Sequence, residues 1–256
     1  MIAVTCFGPD GYELYGRKCL QTLDANFPGR VIAYYEEKPI DAPSSVELRD
    51  FFEIPNAKRF LERIKSVANS DGQTPSGFDF RYNANIYCRK VFAQDAVFDE
   101  DEFVFWIDAD SVVFRHIPED FLLDLVKDVP FAYLGRENAL GAQAYTETGF
   151  LGFNTKHPDF AKFRANYLPY FTTGRIFSQL KGWHDCIAFD HARQGIKGNN
   201  LTPDGRGMNH VLLHSVLAKY IDHLKGARKG QGHSDGHPAN WWLKTTPSIG
   251  QCSTTE

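Results

Sequence analysis

Two aspartates separated by one residue, Asp108 and Asp110, follow an apolar run in the stretch FVFWIDADSVVF at residues 103–114. In an extended segment residues i and i+2 point to the same side, so both carboxylates could face one cation. Alternatively, one binds a metal ion while the other holds hydroxyl groups. Hard carboxylate oxygens suit Mg²⁺ or Mn²⁺. The same spacing is also common in turns and helix caps, so the pair alone does not define a metal site.

The elements around this pair alternate between strands and helices. Runs rich in strand-forming residues predict strands at 2–6, 30–35, 102–107, 130–134 and 149–154. Apolar residues at helical spacing predict helices at 12–27, 55–69, 82–97, 119–126, 157–171 and 183–194. This alternation predicts a single α/β domain with a Rossmann-like, mostly parallel central sheet flanked by helices. Ligands of such sheets bind beyond the carboxyl ends of the strands, and Asp108 and Asp110 follow a strand at such an end.

Composition narrows the class of protein. The 256 residues are 43% hydrophobic and 23% charged, as in ordinary globular proteins. No apolar run reaches the length of a membrane span, and the start, MIAVTCFG, lacks the features of a signal peptide. Five scattered cysteines without a CxxC pair are typical of reduced thiols. We therefore expect a cytoplasmic protein with a domain over 1–230 and a loosely ordered tail over 231–256, which is rich in Gly, Ser, His and Pro.

Charge is spread unevenly along the chain. Residues 1–155 hold 15 Lys/Arg and 25 Asp/Glu, a net charge of −10, whereas residues 156–229 hold 12 and 5, a net charge of +7. The second segment could face an anionic ligand such as phosphate. Chance variation between exposed faces is the alternative.

The block around Asp108 and Asp110 resembles the DxD region of nucleotide-sugar glycosyltransferases with the GT-A fold. It is most similar to family 8, which contains glycogenin and bacterial lipopolysaccharide galactosyltransferases. Four further blocks follow the order of that family: MIAVTCFGPDGYELYGRKCLQTL at the start, RYNANIYCRKVF at 81–92, TETGFLGFN at 146–154 and WHDCIAFD at 183–190. Finally, HLKGARK at 223–229 fits H-x-x-G-x-x-K.

Three departures place the chain in a divergent branch, similar to small glycosyltransferases of bacteria and their phages. Gly230-Gln231 stands where Pro-Trp is usual, and Glu147-Thr148 stands where Asn is common. WHDC replaces the acidic D-Q-D motif. The implied location is the cytoplasm of a bacterium or of a phage-infected host cell.

The resemblance implies a metal-dependent hexosyltransferase that moves a hexose from a UDP-sugar to an acceptor hydroxyl. Asp108, Asp110 and His223 would hold Mn²⁺ or Mg²⁺ against the donor diphosphate. Without the resemblance, His223 reads as an ordinary, partly buried histidine. The family favours retention of anomeric configuration, whereas a well-placed base at Asp185 would make inversion plausible.

Further donor contacts are expected from the HLKGARK block and from the DxD pair. Gly226 would let the backbone approach a phosphate, and Arg228 and Lys229 would add positive charge. The resemblance also places Asp108 and Ala109 against the donor.

Four residues nearer the start of the chain are further candidates for donor contacts. Arg81 and Lys90 precede the DxD strand and either contact the nucleotide or donor sugar or are surface charges. Phe7 and Tyr12 line a uracil-type pocket or belong to the core.

Two acidic residues are candidates for catalysis. The family places Asp185 at the reacting sugar, where it would hold hydroxyls or deprotonate the acceptor; the alternative is a helix N-cap. Glu147 would be a sugar ligand or a competing catalytic acid.

The sequence leaves alternatives open for the acceptor and for the class of protein. The acceptor is a saccharide, or a hydroxymethylated base of phage DNA flipped out of the duplex. A phosphohydrolase or nucleotidyltransferase using the Asp108 and Asp110 pair is the alternative enzyme, and it would need further carboxylates for a second metal. A carbohydrate-binding module would not need H-x-x-G-x-x-K.

Overall fold

The computed structural model describes residues 1–39, 41–136, 145–203 and 210–244. The strands of the described chain are β1 (Ile2–Phe7), β2 (Arg30–Tyr35), β3 (Glu47–Asp50), β4 (Gln73–Thr74), β5 (Gly77–Phe78), β6 (Phe103–Ile107), β7 (Ser111–Val113), β8 (Phe131–Leu134), β9 (Glu147–Asn154), β10 (Asn199–Asn200) and β11 (Ile221–His223). Seven of them form the main sheet, in the order β10-β8-β9-β6-β1-β2-β3. Strand β1 runs parallel to β2 and β6, and β9 is antiparallel to both β6 and β8.

Helices cover both faces of this sheet. The α-helices of the described residues are Pro9–Gly11, Arg17–Asn26, Pro55–Ile64, Ala84–Asp95, Glu119–Val126, Phe160–Tyr167, Pro169–Thr172, Ile176–Gln179, Asp185–Ala192 and Arg228–Gln231; Tyr12–Gly16 forms a π-helical turn, and Phe51–Glu53, Phe80–Tyr82, Val211–His214, Val216–Lys219 and Trp241–Lys244 form 3₁₀ turns. Two apolar clusters, one on each side of the sheet, bury the central strands. The predicted single α/β domain with a mostly parallel sheet flanked by helices is therefore confirmed.

Strand β9 brings its first residues to the edge where β6 ends. In the antiparallel pairing, Phe150 lies opposite Ile107, the last residue of β6. Glu147 and Gly149 therefore lie beside Asp108, whose backbone N–H donates to the carbonyl of Gly149 at 2.9 Å. The DxD pair lies at the end of a central strand, as predicted.

A two-stranded ribbon of β7 and β11 adds a second structural element at this edge. The antiparallel register places His223 opposite Ser111. The N–H of Leu224 also donates to the carbonyl of Asp110 at 2.7 Å. Each strand has three residues, and the pairing joins segments far apart in the chain, so no local pattern in the sequence predicts it.

Residues 231–244 lie against this ribbon. Asp222 accepts hydrogen bonds from the N–H of Ser234 at 2.8 Å and from Nε1 of Trp241 at 2.9 Å. Trp241 is buried and packs with Val112 and Leu224. The domain boundary at residue 230 stays a prediction, and residues 245–256 of the predicted tail lie outside the described residues.

Within the described residues, no helix combines the length and the apolar character that crossing a bilayer requires.

Candidate metal centre and active site

A cleft of about 870 Å³ opens where β1 and β6 end and β9 begins. It brings together most of the residues that the sequence singles out: Phe7, Lys90, Asp108, Ala109, Asp110, Glu147, Asp185, His223, Gly226, Arg228 and Lys229. Tyr12 and Arg81 do not line it. Residues distant in the sequence thus form one site.

Asp108, Asp110 and His223 form the candidate metal centre. Nε2 of His223 lies 3.0 Å from Oδ1 of Asp110 and 3.8 Å from Oδ2 of Asp108. One ligand atom from each residue lies within 4.8 Å of the others. Two carboxylate oxygens and one imidazole nitrogen form a donor set that fits Mn²⁺ or Mg²⁺. The residues present therefore fit the divalent cation implied by the sequence.

The charges at this centre are balanced within the protein. Burial would raise the pKa of Asp110, but His223 and Lys229, whose Nζ lies 3.0 Å away, hold that pKa well below its usual range. Burial would lower the pKa of His223, but the Asp110 carboxylate raises it above its ordinary value. A cation bound here would therefore compete with a proton for His223 and with Lys229 for Asp110.

The segment after His223 supplies groups suited to phosphate. Gly226 has a φ of +68°, in the left-handed region that glycine tolerates, and no atom of the described residues lies within 4 Å of the position a Cβ would take. Nε of Arg228 is buried and has no hydrogen-bond partner among the described residues. Lys229 lies over the ring of Tyr15, 4.5 Å from its centroid. These groups lie beside the metal centre, as H-x-x-G-x-x-K implies.

Lys90 connects the metal centre to the rest of the cleft. Its Nζ lies 2.8 Å from Oδ1 of Asp108 and 3.1 Å from Oδ2 of Asp185, and it donates to the carbonyl of Thr148 at 2.9 Å. Burial would lower the pKa of Lys90, but the two carboxylates raise it well above its ordinary value. Nε1 of Trp106 also donates to Oδ1 of Asp108 at 2.6 Å. Because Oδ1 of Asp108 is held this way, Oδ2 is the oxygen that faces His223.

Asp185 is fully buried at the first position of its helix. Its Oδ2 accepts a short hydrogen bond from the hydroxyl of Thr148 and contacts Lys90, whereas Oδ1 has no hydrogen-bond partner among the described residues. The N-cap position belongs to His184, and its side chain makes no capping hydrogen bond. The alternative role of Asp185 as an N-cap is therefore not what the structure shows.

Glu147 is buried and held by two cations. Nζ of Lys225 lies 2.7 Å and Nη2 of Arg136 lies 2.9 Å from its Oε2. Burial would raise the pKa of Glu147, but Lys225, His223 and Arg136 lower it to about 2. Glu147 is thus ionised at neutral pH and has no proton to donate.

Of the four remaining residues predicted to contact the donor, two line the cleft and two lie outside it. Phe7 and Ala109 are buried in the cleft wall. Tyr12 packs against Phe7, with 5.0 Å between the two ring centroids, and the hydroxyl of Tyr12 donates to Oδ1 of Asp41 at 2.8 Å. Arg81 is exposed and forms an ion pair with Asp79 at 2.6 Å.

Further residues of the cleft hold the predicted acids or form the wall beside them: Trp106, Arg136, Tyr145, Thr148, His184 and Lys225. Lys225 belongs to the basic block HLKGARK, and His184 and Thr148 stand next to predicted acids in two of the other blocks. No motif in the sequence singles out Trp106, Arg136 or Tyr145. Trp106 lies two residues before Asp108, on the same side of the extended segment, and Thr148 directly follows Glu147 in β9. Neither residue type at those positions indicates a polar contact before the sheet register is known.

Gly149 is expected to be essential for the metal centre. A Cβ at this position would lie 2.5 Å from Cε1 and 2.7 Å from Nδ1 of His223, so Gly149→Ala must displace the imidazole. We expect Mn²⁺ affinity to weaken by about ten- to a hundredfold, measured by isothermal titration calorimetry. Gly230→Ala is the matched control, because nothing lies within 4 Å of its added Cβ. Equal Mn²⁺ affinities in both variants would contradict this placement of His223.

No protein-family model matches the sequence, and none of the curated proteins matches it. Several solved structures are similar in shape. One is mouse xyloside xylosyltransferase 1 in its apo form, at 10% identity and a TM-score of 0.42, with 75% of this chain and 81% of that chain covered.

Two further similar structures are also described as glycosyltransferases. One is involved in glycosylation of the major capsid of PBCV-1, at 14% identity and a TM-score of 0.45, with 90% of this chain and 95% of that chain covered. The other is GlyE of Streptococcus pneumoniae TIGR4, at 13% identity and a TM-score of 0.42, with 77% and 44% covered. The three TM-scores are below 0.5, so these likenesses carry no argument about the function of this chain.

Proposed function

We propose that the protein is a metal-dependent glycosyltransferase that moves a hexose from a UDP-sugar to an acceptor hydroxyl. The observation that carries this proposal is the contact of His223 with Asp110, next to Gly226, Arg228 and Lys229. A cation site flanked by a glycine turn and two basic side chains suits a diphosphate. When bound, the cation would neutralise the charge that develops on the departing diphosphate.

The protein's own groups divide the work along the cleft. Arg228 offers a buried N–H that no described residue accepts, and Lys229 can exchange its contact with Asp110 for a phosphate oxygen. Lys90 orients Asp108 toward the metal centre and Asp185 toward the reacting sugar. Glu147 forms ion pairs with Lys225 and Arg136, and with His223 these cations lower its pKa to about 2, which suits a residue that positions the two cations by charge.

The proposed transfer retains the anomeric configuration. A bond forms between the acceptor oxygen and the anomeric carbon while the bond from that carbon to the UDP oxygen breaks. The acceptor proton passes to the departing diphosphate on the same face. Asp185 would hold a hydroxyl of the sugar or acceptor through Oδ1, which has no hydrogen-bond partner in the part of the chain that the structure describes. Product analysis by NMR tests this stereochemistry, since a β product from an α donor contradicts retention.

The test of the activity is a donor screen. Purified protein with Mn²⁺ or Mg²⁺ is incubated with UDP-glucose, UDP-galactose and UDP-N-acetylhexosamines, and slow release of UDP is followed. In parallel, thermal unfolding is measured with Mn²⁺ plus UDP, CDP, GDP or ADP. We expect metal-dependent hydrolysis of one UDP-sugar and the largest stabilisation by UDP. No preference for UDP, together with metal-dependent cleavage of phosphate esters or nucleoside triphosphates, would instead support the phosphohydrolase or nucleotidyltransferase alternative.

A further inference from the structure

Three aromatic side chains surround His184 at the wall of the cleft. The ring centroids of Tyr145, Tyr87 and Phe80 lie 4.8, 5.7 and 6.2 Å from that of His184. All four residues line the cleft, and we refer to them as the His184 aromatic cluster. None of these rings is needed for the metal centre or for the diphosphate.

The cluster presents apolar surface to the cleft. Phe80 is 40% exposed, and the neighbouring Ile86, which also lines the cleft, is 56% exposed. Large apolar side chains exposed together inside a concave site indicate a surface that contacts a ligand. Aromatic rings pack well against the flat C–H face of a pyranose, which is apolar, whereas its edge carries hydroxyls.

Two buried polar atoms next to the rings lack partners. Nε2 of His184 and Oδ1 of Asp185 make no hydrogen bond within the described chain, although the two residues are 1% and 0% exposed. A buried polar atom without a partner costs free energy, so each such atom points to a ligand group or to water. Burial lowers the pKa of His184, which keeps the imidazole neutral. A neutral imidazole and a carboxylate suit hydroxyl groups.

The charges favour a neutral ligand at this place. The cations of the cleft wall that form ion pairs with carboxylates are Arg89, Lys90, Arg136, Lys225 and Lys229. Beside Phe80, Arg81 is paired with Asp79. Among the described cleft residues this leaves Arg228, which belongs to the phosphate end. A phosphodiester backbone would find little uncompensated positive charge at the aromatic rings.

We propose that the His184 aromatic cluster is the acceptor site and that it binds a neutral pyranoside. The apolar face of the sugar rests on Phe80 and Tyr145, and its hydroxyls meet Nε2 of His184 and Oδ1 of Asp185. This assignment rests on the proposed transferase function and adds the class of acceptor to it.

The test separates acceptor binding from donor chemistry. The UDP-sugar that the wild-type protein hydrolyses is supplied with methyl α- and β-glucopyranosides, methyl galactopyranosides, maltose and lactose, and in a separate arm with DNA containing 5-hydroxymethylcytosine. Products are identified by mass spectrometry. We expect transfer to at least one glycoside and none to DNA.

Two variants then probe the cluster. Phe80→Ala should raise the KM for the glycoside by about tenfold, and His184→Phe, which keeps a ring but loses Nε2, should raise it similarly. Phe78→Ala is the matched control, because Phe78 is 63% exposed and lies outside the cleft; its KM should stay within about twofold of wild type. Hydrolysis of the donor and the unfolding temperature are measured on the same preparations to report on the donor site and on folding.

The outcomes are distinguishable. If no UDP-sugar is hydrolysed or transferred, the proposed function itself fails. If hydrolysis occurs but DNA is the acceptor, or no glycoside is glycosylated, the pyranoside assignment is overturned while the transferase proposal stands. The assignment is also overturned if Phe80→Ala and His184→Phe match Phe78→Ala in KM.

Discussion

Asp110→Asn is expected to reduce sugar transfer and donor hydrolysis by at least about 10³-fold. The asparagine keeps the shape of the side chain but removes the charge that meets His223 at 3.0 Å and Lys229 at 3.0 Å. Without this charge, a divalent cation loses an anionic ligand, and Lys229 loses the carboxylate with which it forms an ion pair. The measurements are kcat with saturating UDP-sugar and Mn²⁺ affinity by calorimetry.

Asp124→Asn provides the control for this variant. Asp124 is exposed and pairs with Lys127 on the helix Glu119–Val126, outside the cleft. Its activity and Mn²⁺ affinity should stay within about twofold of wild type. Both variants should unfold cooperatively. Wild-type activity in folded Asp110→Asn would remove the DxD pair from the mechanism.

Asp185→Asn is expected to lower kcat by about 10²- to 10³-fold while UDP affinity changes little. Its buried Oδ1 bonds to none of the described residues, and its Oδ2 is held by Thr148 and Lys90, so the carboxylate is oriented before substrate binds. An amide can still accept from Thr148 but loses the negative charge next to the reacting sugar. Single-turnover transfer measures the change in the chemical step. Thermal shift with UDP measures the change in UDP affinity.

The helix that begins at Asp185 offers a matched control. Asp190 accepts from the N–H of Thr146 at 2.9 Å and pairs with Arg193 at 2.8 Å, but it does not line the cleft. Asp190→Asn should lower the unfolding temperature and leave kcat within about threefold of wild type. A kcat of Asp185→Asn equal to that of Asp190→Asn would show that Asp185 has only a structural role.

Local pattern was sufficient to predict the architecture and the DxD pair. The run before Asp108 is apolar because β6 is buried on both faces, and burial on both faces is what such a run indicates. The closeness of His223 to that pair was predicted from a family motif, not from periodicity. The β7–β11 ribbon that produces it has three residues on each side, too few for a pattern to be read.

Ion pairs within the protein explain part of the uneven charge between residues 1–155 and 156–229. Cations of the segment 156–229 pair with acids of the segment 1–155: Arg164 with Asp95 and Asp99, Lys225 with Glu147, and Lys229 with Asp110. Composition alone could not distinguish these pairs from a surface that awaits an external anion. The predicted interaction with phosphate is therefore retained for Arg228 and Lys229 at the diphosphate end of the cleft.

The position of Lys90 between Asp108 and Asp185 makes the two halves of the cleft thermodynamically linked. A cation that binds to Asp108 weakens the ion pair between Asp108 and the ammonium group of Lys90. The ion pair between Lys90 and Asp185 is then strengthened. By reciprocity, any ligand that neutralises Asp185 changes the affinity for the cation by the same factor. In the proposed transferase, Lys90 would thereby couple binding of the metal-bound donor to binding of the acceptor.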